Sequence, residues 1–108
     1  MEKTWILAAV LTLASAGLAR AQQPTDAAAV YARECASCHG PKGTPNAAMG
    51  RAMGIPNLAA ASEAAVPDSV LRNAILNGKG RGMPAYKARL KSEEVAALVA
   101  YLRAFSRH

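Results

Sequence analysis

The chain has 108 residues, and its 13 basic and 7 acidic side chains give a formal net charge of +6. This length accommodates one small domain, and the modest charge, without interleaved basic and aromatic residues, argues against nucleic-acid binding. With only two cysteines, the chain also lacks the second ligand pair that a structural zinc site needs.

The first 21 residues are predicted to be a cleaved secretory signal peptide. A short charged start, Met1–Lys3, precedes an apolar run from Trp5 to Leu18, and Ala19–Ala21 has the small-x-small form of a cleavage site. The alternative is an uncleaved membrane anchor, but the run is shorter than the roughly 18 residues expected of a spanning helix. We therefore expect residues 22–108 to form the mature domain and to lie in a bacterial periplasm.

The first predicted helix of the mature domain spans Asp26 to Cys35. Thr25 or Asp26 can cap its N-terminus, and the alanines of the segment favour helix formation. Val30 and Tyr31 give the helix an apolar edge. We therefore expect it to pack on one side and to deliver Cys35 to the next segment.

The run Cys35-Ala36-Ser37-Cys38-His39 has the spacing of a c-type haem attachment site. Its two thiols lie on one side of a helical turn, where each can form a thioether to a haem vinyl group, and His39 is placed to ligate the iron. A thioredoxin-like disulfide is the main alternative, because export leads to an oxidising compartment. The chain shows no convincing β-strand for such a fold, so we predict one covalently attached haem c.

A loop and a second helix are predicted next. Residues 40–56 are rich in Gly, Pro and Ala without a sustained period, which predicts a loop long enough to wrap one edge of a cofactor. The second helix is predicted to open at Pro67-Asp68, with Asp68 or Ser69 as its cap. It should stop at Asn77-Gly78, since glycine suits the C-terminal end of a helix.

A glycine-rich turn after this helix carries the predicted second iron ligand. Three glycines alternate with basic residues over positions 78–82 and let the backbone come close to a ligand just before Met83. A thioether from Met83 would complete a His/Met ligand set, which raises the reduction potential of a haem. Met49 and Met53 are the alternatives, but their spacing suits adaptable packing or a place near the surface. His108, at the chain end, is expected to be a frayed tail.

The last predicted helix begins at Ser92. Acidic residues in its first turn and arginines near its end suit the helix dipole. Its apolar stripe consists of Val95, Leu98, Val99, Leu102 and Phe105. The fold class is therefore predicted to be all-α, with three to four short helices. Residues 22–108 contain only 14 Leu, Ile, Val and Phe, so a porphyrin is needed to fill the core and folding should be coupled to its attachment.

Four segments resemble, in the same order, those of class I monohaem cytochromes c of the small bacterial type. They are CASCHG at residues 35–40, PNL at 56–58, GMPAY at 82–86 and VAYLR at 99–103. The resemblance covers essentially all of residues 22–108. It implies the cytochrome c fold, thioethers from Cys35 and Cys38, and His39 and Met83 as the axial iron ligands.

The resemblance also implies contacts around the haem. The carbonyl of Pro56, or alternatively of Pro45, would accept a hydrogen bond from the second ring nitrogen of His39 and orient the ring. Two aromatic residues of the last helix, Tyr101 and Phe105, would cross the first helix. These contacts would join the two ends of the domain.

Two departures from the family pattern affect the expected structure. Ala27 stands where a glycine commonly permits close crossing of the terminal helices, so we expect a slightly wider crossing. Residues 22–108 contain no Trp. Contacts to the haem propionates therefore fall to Arg51, Asn57 and Tyr86 as candidates.

Charge around Met83 predicts the kind of partner. Removal of residues 1–21 leaves a formal charge of +5, which two ionised propionates would lower to +3. Six basic residues flank Met83, and we call them the basic cluster: Arg72, Lys79, Arg81, Lys87, Arg89 and Lys91. Such a cluster can steer transient docking to acidic redox partners. We predict a monomeric, non-enzymatic one-electron carrier that passes electrons between donor and acceptor proteins.

Two alternatives stay open at this point. A dedicated electron-transfer subunit of a periplasmic dehydrogenase or reductase would favour a larger apolar docking patch over a basic one. A haem enzyme or gas sensor would displace Met83 and leave the iron accessible. The basic cluster favours the free carrier over the bound subunit.

Overall fold

The computed structural model describes residues 26–107, so the predicted signal peptide at 1–21 and the predicted frayed tail at His108 lie outside the described residues. Within the described range the elements are α1 (Ala27–Glu34), α2 (Ala36–His39), α3 (Ala47–Met53), a 3-10 helix (Ala61–Ala65), α4 (Asp68–Asn77) and α5 (Ser92–Phe105). The all-α prediction is confirmed, although five α-helices replace the predicted three to four. None of the helices in residues 26–107 combines the length and hydropathy needed to cross a membrane.

The helix starts follow local side-chain chemistry. Asp26 caps α1 as predicted, since its Oδ1 accepts a hydrogen bond from the backbone N–H of Ala29 at 3.1 Å. Helix α5 begins at Ser92 as predicted. The prediction that Asp68 or Ser69 caps α4 is wrong, because Pro67 holds the N-cap position and Asp68 lies in the first turn. The Asp68 carboxylate binds an arginine of α5 instead of a backbone N–H.

Helix α3 interrupts the segment that was predicted to be a continuous loop. Asn46 caps it by accepting hydrogen bonds from the N–H groups of Ala48 and Met49 at 3.0 and 3.3 Å, and Gly54 ends it in a left-handed conformation. The helix has no buried residue. A helix that buries no face carries no apolar period, which is why the sequence pattern did not predict it.

Helices α1 and α5 cross at a cluster of three aromatic rings. The Tyr31 ring centroid lies 5.3 Å from that of Tyr101 and 5.2 Å from that of Phe105. These contacts confirm the predicted aromatic crossing, and their tilted or edge-on geometry is favourable for aromatic pairs. The wider crossing expected from Ala27 stays a prediction. Around the crossing, the core cluster consists of Val30, Tyr31, Ile75, Tyr86, Val95, Leu98 and Val99.

Arg103 of α5 ties the 3-10 helix and α4 to the rest of the fold. Its Nε lies 2.6 Å from Oδ1 of Asp68, and its Nη1 donates to the carbonyl of Glu63 at 3.0 Å. Its Nη2 donates to the carbonyl of Val66. The Arg103 side chain is only 16% exposed. One side chain therefore satisfies carbonyls in a segment that has little core of its own.

Candidate haem-binding site

The haem-binding run occupies the junction between α1 and α2. The N–H of Cys35 still bonds to the carbonyl of Tyr31 at 2.8 Å, as the last turn of α1. The carbonyl of Cys35 then accepts from the N–H groups of Cys38 and His39 at 3.3 and 3.0 Å. The run is thus a single helical turn that starts at one thiol and ends at the imidazole. Both thiols are free and half-buried.

Burial shifts the protonation of two residues of the run, Cys35 and His39. It raises the pKa of the Cys35 thiol to about 11, with a smaller contribution from the nearby Glu34 carboxylate. Burial also lowers the pKa of His39 below its usual value. The imidazole is therefore neutral at pH 7 and offers a lone pair, which is the form that binds a metal.

The surroundings of the His39 ring show whether residues 35–39 could hold a haem iron. Its Nδ1 is buried and has no hydrogen-bond partner among the described residues, which is rare for a buried polar atom. The predicted hydrogen bond to the carbonyl of Pro56, or to that of Pro45, is therefore not formed in this structure, and the orienting role stays a prediction. A neutral imidazole with an unsatisfied buried nitrogen, directly after two thiols, fits the donor set of haem c.

Met83 lies in a loop whose two ends are hydrogen-bonded to each other. The backbone groups of Lys79 and Met83 pair as an isolated antiparallel bridge. Gly78 precedes this loop with φ +73°, and a Cβ at that position would lie 2.4 Å from the carbonyl oxygen of Met83. Met83 is half-buried and packs against the same core cluster as Cys35. The fold therefore brings the predicted second ligand and the attachment run to one core.

The other two candidate methionines lie on α3 and face solvent. Met49 is 39% exposed and Met53 is 51% exposed. Of the two places predicted for them, adaptable packing in the core or a position near the surface, the structure shows the surface. The Cε of Met53 is close to the Met83 loop, since a Cβ built on Gly82 would lie 3.0 Å from it.

Two tyrosine hydroxyls contact the backbone on either side of the run. Tyr31 donates to the carbonyl of Gly40 at 2.6 Å, and Tyr86 donates to the carbonyl of Glu34 at 3.0 Å. Burial raises the pKa of Tyr31 to about 12 and also raises the pKa of Tyr86, so both hydroxyls keep their protons at pH 7. Neither contact was predicted from the sequence; the Tyr86 contact joins residues 52 positions apart, which no local pattern can indicate.

The three candidate propionate contacts differ in what their polar groups already bind. The Oδ1 of Asn57 accepts from the Thr44 hydroxyl and from the Ala59 N–H, both at 3.0 Å. Its amide nitrogen, the only donor of this side chain, is the group that would contact a propionate. The single hydroxyl proton of Tyr86 is engaged with Glu34, whereas Arg51 is exposed on α3. All three propionate roles stay predictions.

The fold and the site together define a class I c-type cytochrome. Residues 22–102 match the family described as cytochrome c oxidase, cbb3-type, subunit III, and the chain belongs to that family of cytochrome c domains. It carries haem c and transfers electrons. The solved structure of the KustC0563 c-type cytochrome is similar to it, with 32% sequence identity and a TM-score of 0.70. That similarity covers 77% of this chain and 100% of that one. None of the curated proteins matches the sequence.

Proposed function

We propose that this chain is a periplasmic one-electron carrier, in which Cys35 and Cys38 hold haem c while His39 and Met83 ligate its iron. The observation that carries the proposal is the shared core: Cys35 and Met83, far apart in sequence, pack against the same buried cluster. Haem c supplies the one-electron couple when it is bound.

The chain's own residues keep the two ligands in place. Burial keeps His39 neutral, and the Lys79–Met83 backbone pair limits how far the Met83 segment can move. Two protein ligands would leave no open position on the iron, so we propose no activity beyond accepting and passing an electron. Such fixed ligands also limit rearrangement between the oxidation states.

The surface around the Met83 loop supports transient docking to acidic partners. All six residues of the basic cluster are exposed. Within the described residues, only Arg89 of the cluster takes part in a salt bridge, at 2.8 Å from Glu34. The other members can therefore act through long-range attraction, which speeds encounter more than it raises affinity. We propose a monomer that forms short-lived complexes with its donor and acceptor.

The start of the family match supports the proposed domain boundary. It begins at residue 22, where the mature domain is predicted to begin after signal cleavage. A leader of this form directs export, and an exported haem c domain in a bacterium lies in the periplasm. N-terminal sequencing of the purified holoprotein tests the boundary, because an intact Met1 would contradict cleavage.

A dedicated subunit of a larger enzyme is the second candidate function. The family description names a subunit of a cbb3-type cytochrome c oxidase. Among residues 26–107, three large apolar side chains are also exposed: Met49, Met53 and Val70. Of these, Met53 adjoins the Met83 loop. A permanently bound partner would cover such apolar atoms.

Replacement of Met83 tests the proposed ligation. In Met83→Ala the ferrous holoprotein should bind carbon monoxide, and its reduction potential should fall because the thioether is lost. Met53→Ala is the matched control and should change neither quantity. An unchanged potential without carbon monoxide binding in Met83→Ala would exclude Met83 as the ligand. Carbon monoxide binding by the unaltered protein would instead favour a gas sensor or haem enzyme.

Charge reversal in the Met83 loop tests the docking surface. The probe is ferricyanide, a small anionic oxidant, mixed with the reduced holoprotein at low salt. Arg81→Glu should slow the oxidation about threefold or more, and the difference should shrink at high salt. Arg107→Glu makes the same charge change after the end of α5, outside the basic cluster, and should have a smaller effect. Equal slowing by both variants would argue that only net charge matters.

Size-exclusion chromatography separates the carrier from the subunit. A native periplasmic extract is run at low and at moderate salt, and the protein is followed by its haem absorbance and a specific antibody. Elution as a small monomer at both salts supports the carrier. Elution with a large species at both salts supports the dedicated subunit, because screening weakens contacts between exposed charges.

A further inference from the structure

The haem-binding run is held at both ends by a tyrosine hydroxyl. Residues 35–39 are followed by Gly40, whose carbonyl accepts from Tyr31, and preceded by Glu34, whose carbonyl accepts from Tyr86. Both tyrosines are almost fully buried, with 1% and 7% of their surface exposed. Buried hydrogen bonds of this kind fix the position of a segment, because breaking one leaves a polar group unsatisfied.

Tyr86 belongs to the segment that carries Met83. Its backbone N–H donates to the carbonyl of Ile75 at 3.0 Å, and the N–H of Lys87 donates to the carbonyl of Leu76 at 3.2 Å. These bonds fix the chain just after Met83 on the last turns of α4. The Tyr86 hydroxyl therefore connects the Met83 segment directly to the start of the haem-binding run.

Arg89 lies over this connection. Its guanidinium carbon is 4.8 Å from the centroid of the Tyr86 ring, and its Nη2 is 2.8 Å from Oε2 of Glu34. It therefore contacts both residues that form the hydrogen bond, one through its ring and the other through its carboxylate. Because the Arg89 side chain is 55% exposed, its own contribution should be smaller than that of the buried hydroxyl.

We propose that Tyr86 is a positioning residue: by holding the carbonyl of Glu34, it fixes the segment of Met83 relative to that of His39 and so keeps Met83 on the iron. The inference rests on the proposed His/Met ligation. The neutral thioether of Met83 stays bound to the iron only while the protein holds the Met83 segment close to it. Loss of the hydroxyl would therefore raise the population in which Met83 is detached.

Imidazole binding to the ferric holoprotein measures that population. Imidazole enters only when Met83 is detached, so its apparent affinity is proportional to the detached fraction. We expect Tyr86→Phe to bind imidazole about threefold to tenfold more tightly, since a hydrogen bond contributes about this factor. An affinity equal to that of the unaltered protein would overturn the proposal.

Tyr101→Phe is the matched control. It removes the same atom from another tyrosine of the core, and no hydrogen bond joins the Tyr101 hydroxyl to residues 34–40 within the described part of the chain. Its imidazole affinity should change less than about twofold. Equal tightening in Tyr86→Phe and Tyr101→Phe would mean a general loosening of the core, and the proposal would be wrong.

A Met83→Ala background separates positioning from general stability. There the detached state is already complete, so adding Tyr86→Phe should leave imidazole affinity unchanged within about twofold. Persistent tightening would show that Tyr86 acts by another route and would overturn the inference. If Met83→Ala alone does not tighten imidazole binding, the proposed ligation itself fails, which is a different result from an inert Tyr86→Phe.

Arg89→Gln decides the matter if Tyr86→Phe gives too little holoprotein. It keeps the tyrosine hydroxyl but removes the guanidinium that contacts the Tyr86 ring and the Glu34 carboxylate. We expect imidazole binding to tighten about threefold, at the low end of the range for Tyr86→Phe, and this effect should disappear in the Met83→Ala background. No tightening, or tightening that persists there, would count against the proposal.

Discussion

Lys79 and Met83 bond to each other in both directions: the Lys79 N–H donates to the Met83 carbonyl at 3.1 Å, and the Met83 N–H donates to the Lys79 carbonyl at 3.2 Å. Residues 80–82 are thereby enclosed in a short loop whose closure does not depend on their side chains. The backbone alone thus fixes where the Met83 side chain begins. Substitutions at Gly78, just before this loop, and at Gly80, inside it, can test how much the closure contributes to stability and to Met83 ligation.

Gly78→Ala should destabilise the protein and weaken the Met83 ligation. At φ +73° any Cβ is strained, and here it would also lie 2.4 Å from the Met83 carbonyl oxygen. We expect a loss of about 3 kcal/mol in the free energy of unfolding, from strain and displacement of the loop together. Urea unfolding of the holoprotein measures the loss, and imidazole binding should tighten as Met83 moves.

Gly80→Ala, inside the loop that Gly78 precedes, is the matched control. Its φ is +57°, but a Cβ there would have nothing within 4 Å. Gly80→Ala should therefore lower the free energy of unfolding by the conformational cost alone, about 1 kcal/mol, and leave imidazole binding unchanged. If Gly78→Ala and Gly80→Ala behave alike, the close approach of Gly78 to Met83 has no energetic consequence.

Tyr31→Phe should lower the free energy of unfolding by about 1 kcal/mol at pH 7. The substitution keeps the ring that contacts Tyr101 and Phe105 but removes the hydroxyl that donates to the Gly40 carbonyl at 2.6 Å. Urea unfolding of the holoprotein at neutral pH measures the change. No loss of stability would show that water replaces the hydroxyl at the Gly40 carbonyl without cost.

The contribution of the Tyr31 hydroxyl to the unfolding free energy should also decrease at high pH. Burial raises its pKa from 10.0 to about 12, so between those values the unfolded chain loses this proton first. Stability from the hydroxyl is therefore complete below pH 10 and decreases as the pH rises towards 12. The difference in unfolding free energy between the unaltered protein and Tyr31→Phe should shrink over that range. A difference that grows with pH would contradict the assignment.

Local and periodic features of the sequence predicted much of this fold. The cap at Asp26, the end of α4 at Gly78 and the start of α5 at Ser92 each depend on neighbouring residues, and the structure has them where expected. The crossing of Tyr31 with the α5 aromatics followed from the resemblance to the family. These features need only short-range chemistry or a long apolar stripe.

Features set by tertiary contacts could not be predicted in the same way. Helix α3 has a good cap at Asn46 but buries no residue, so its pattern resembles that of a loop. The hydroxyl of Tyr86 reaches Glu34 only because α4 and the Met83 loop bring the two together. Asp68 was expected to cap a helix, and a distant arginine competes for its carboxylate. For Tyr86 and Asp68 a contact remote in sequence decides the role, whereas α3 was missed because it has no apolar stripe.

Arg103→Ala should be among the most destabilising changes on α5, with a loss of about 2–3 kcal/mol in unfolding free energy. It removes the donors to the carbonyls of Glu63 and Val66, which then lack their partner at a half-buried site. Asp68→Asn should cost less than about 1 kcal/mol, since the Asp68 side chain is 61% exposed. Arg107→Ala, also an arginine near the end of the chain but exposed, should cost almost nothing. Urea unfolding of the three holoproteins gives the ranking. If Asp68→Asn lowers the unfolding free energy as much as Arg103→Ala does, the ion pair, rather than the two carbonyl contacts, holds the segment.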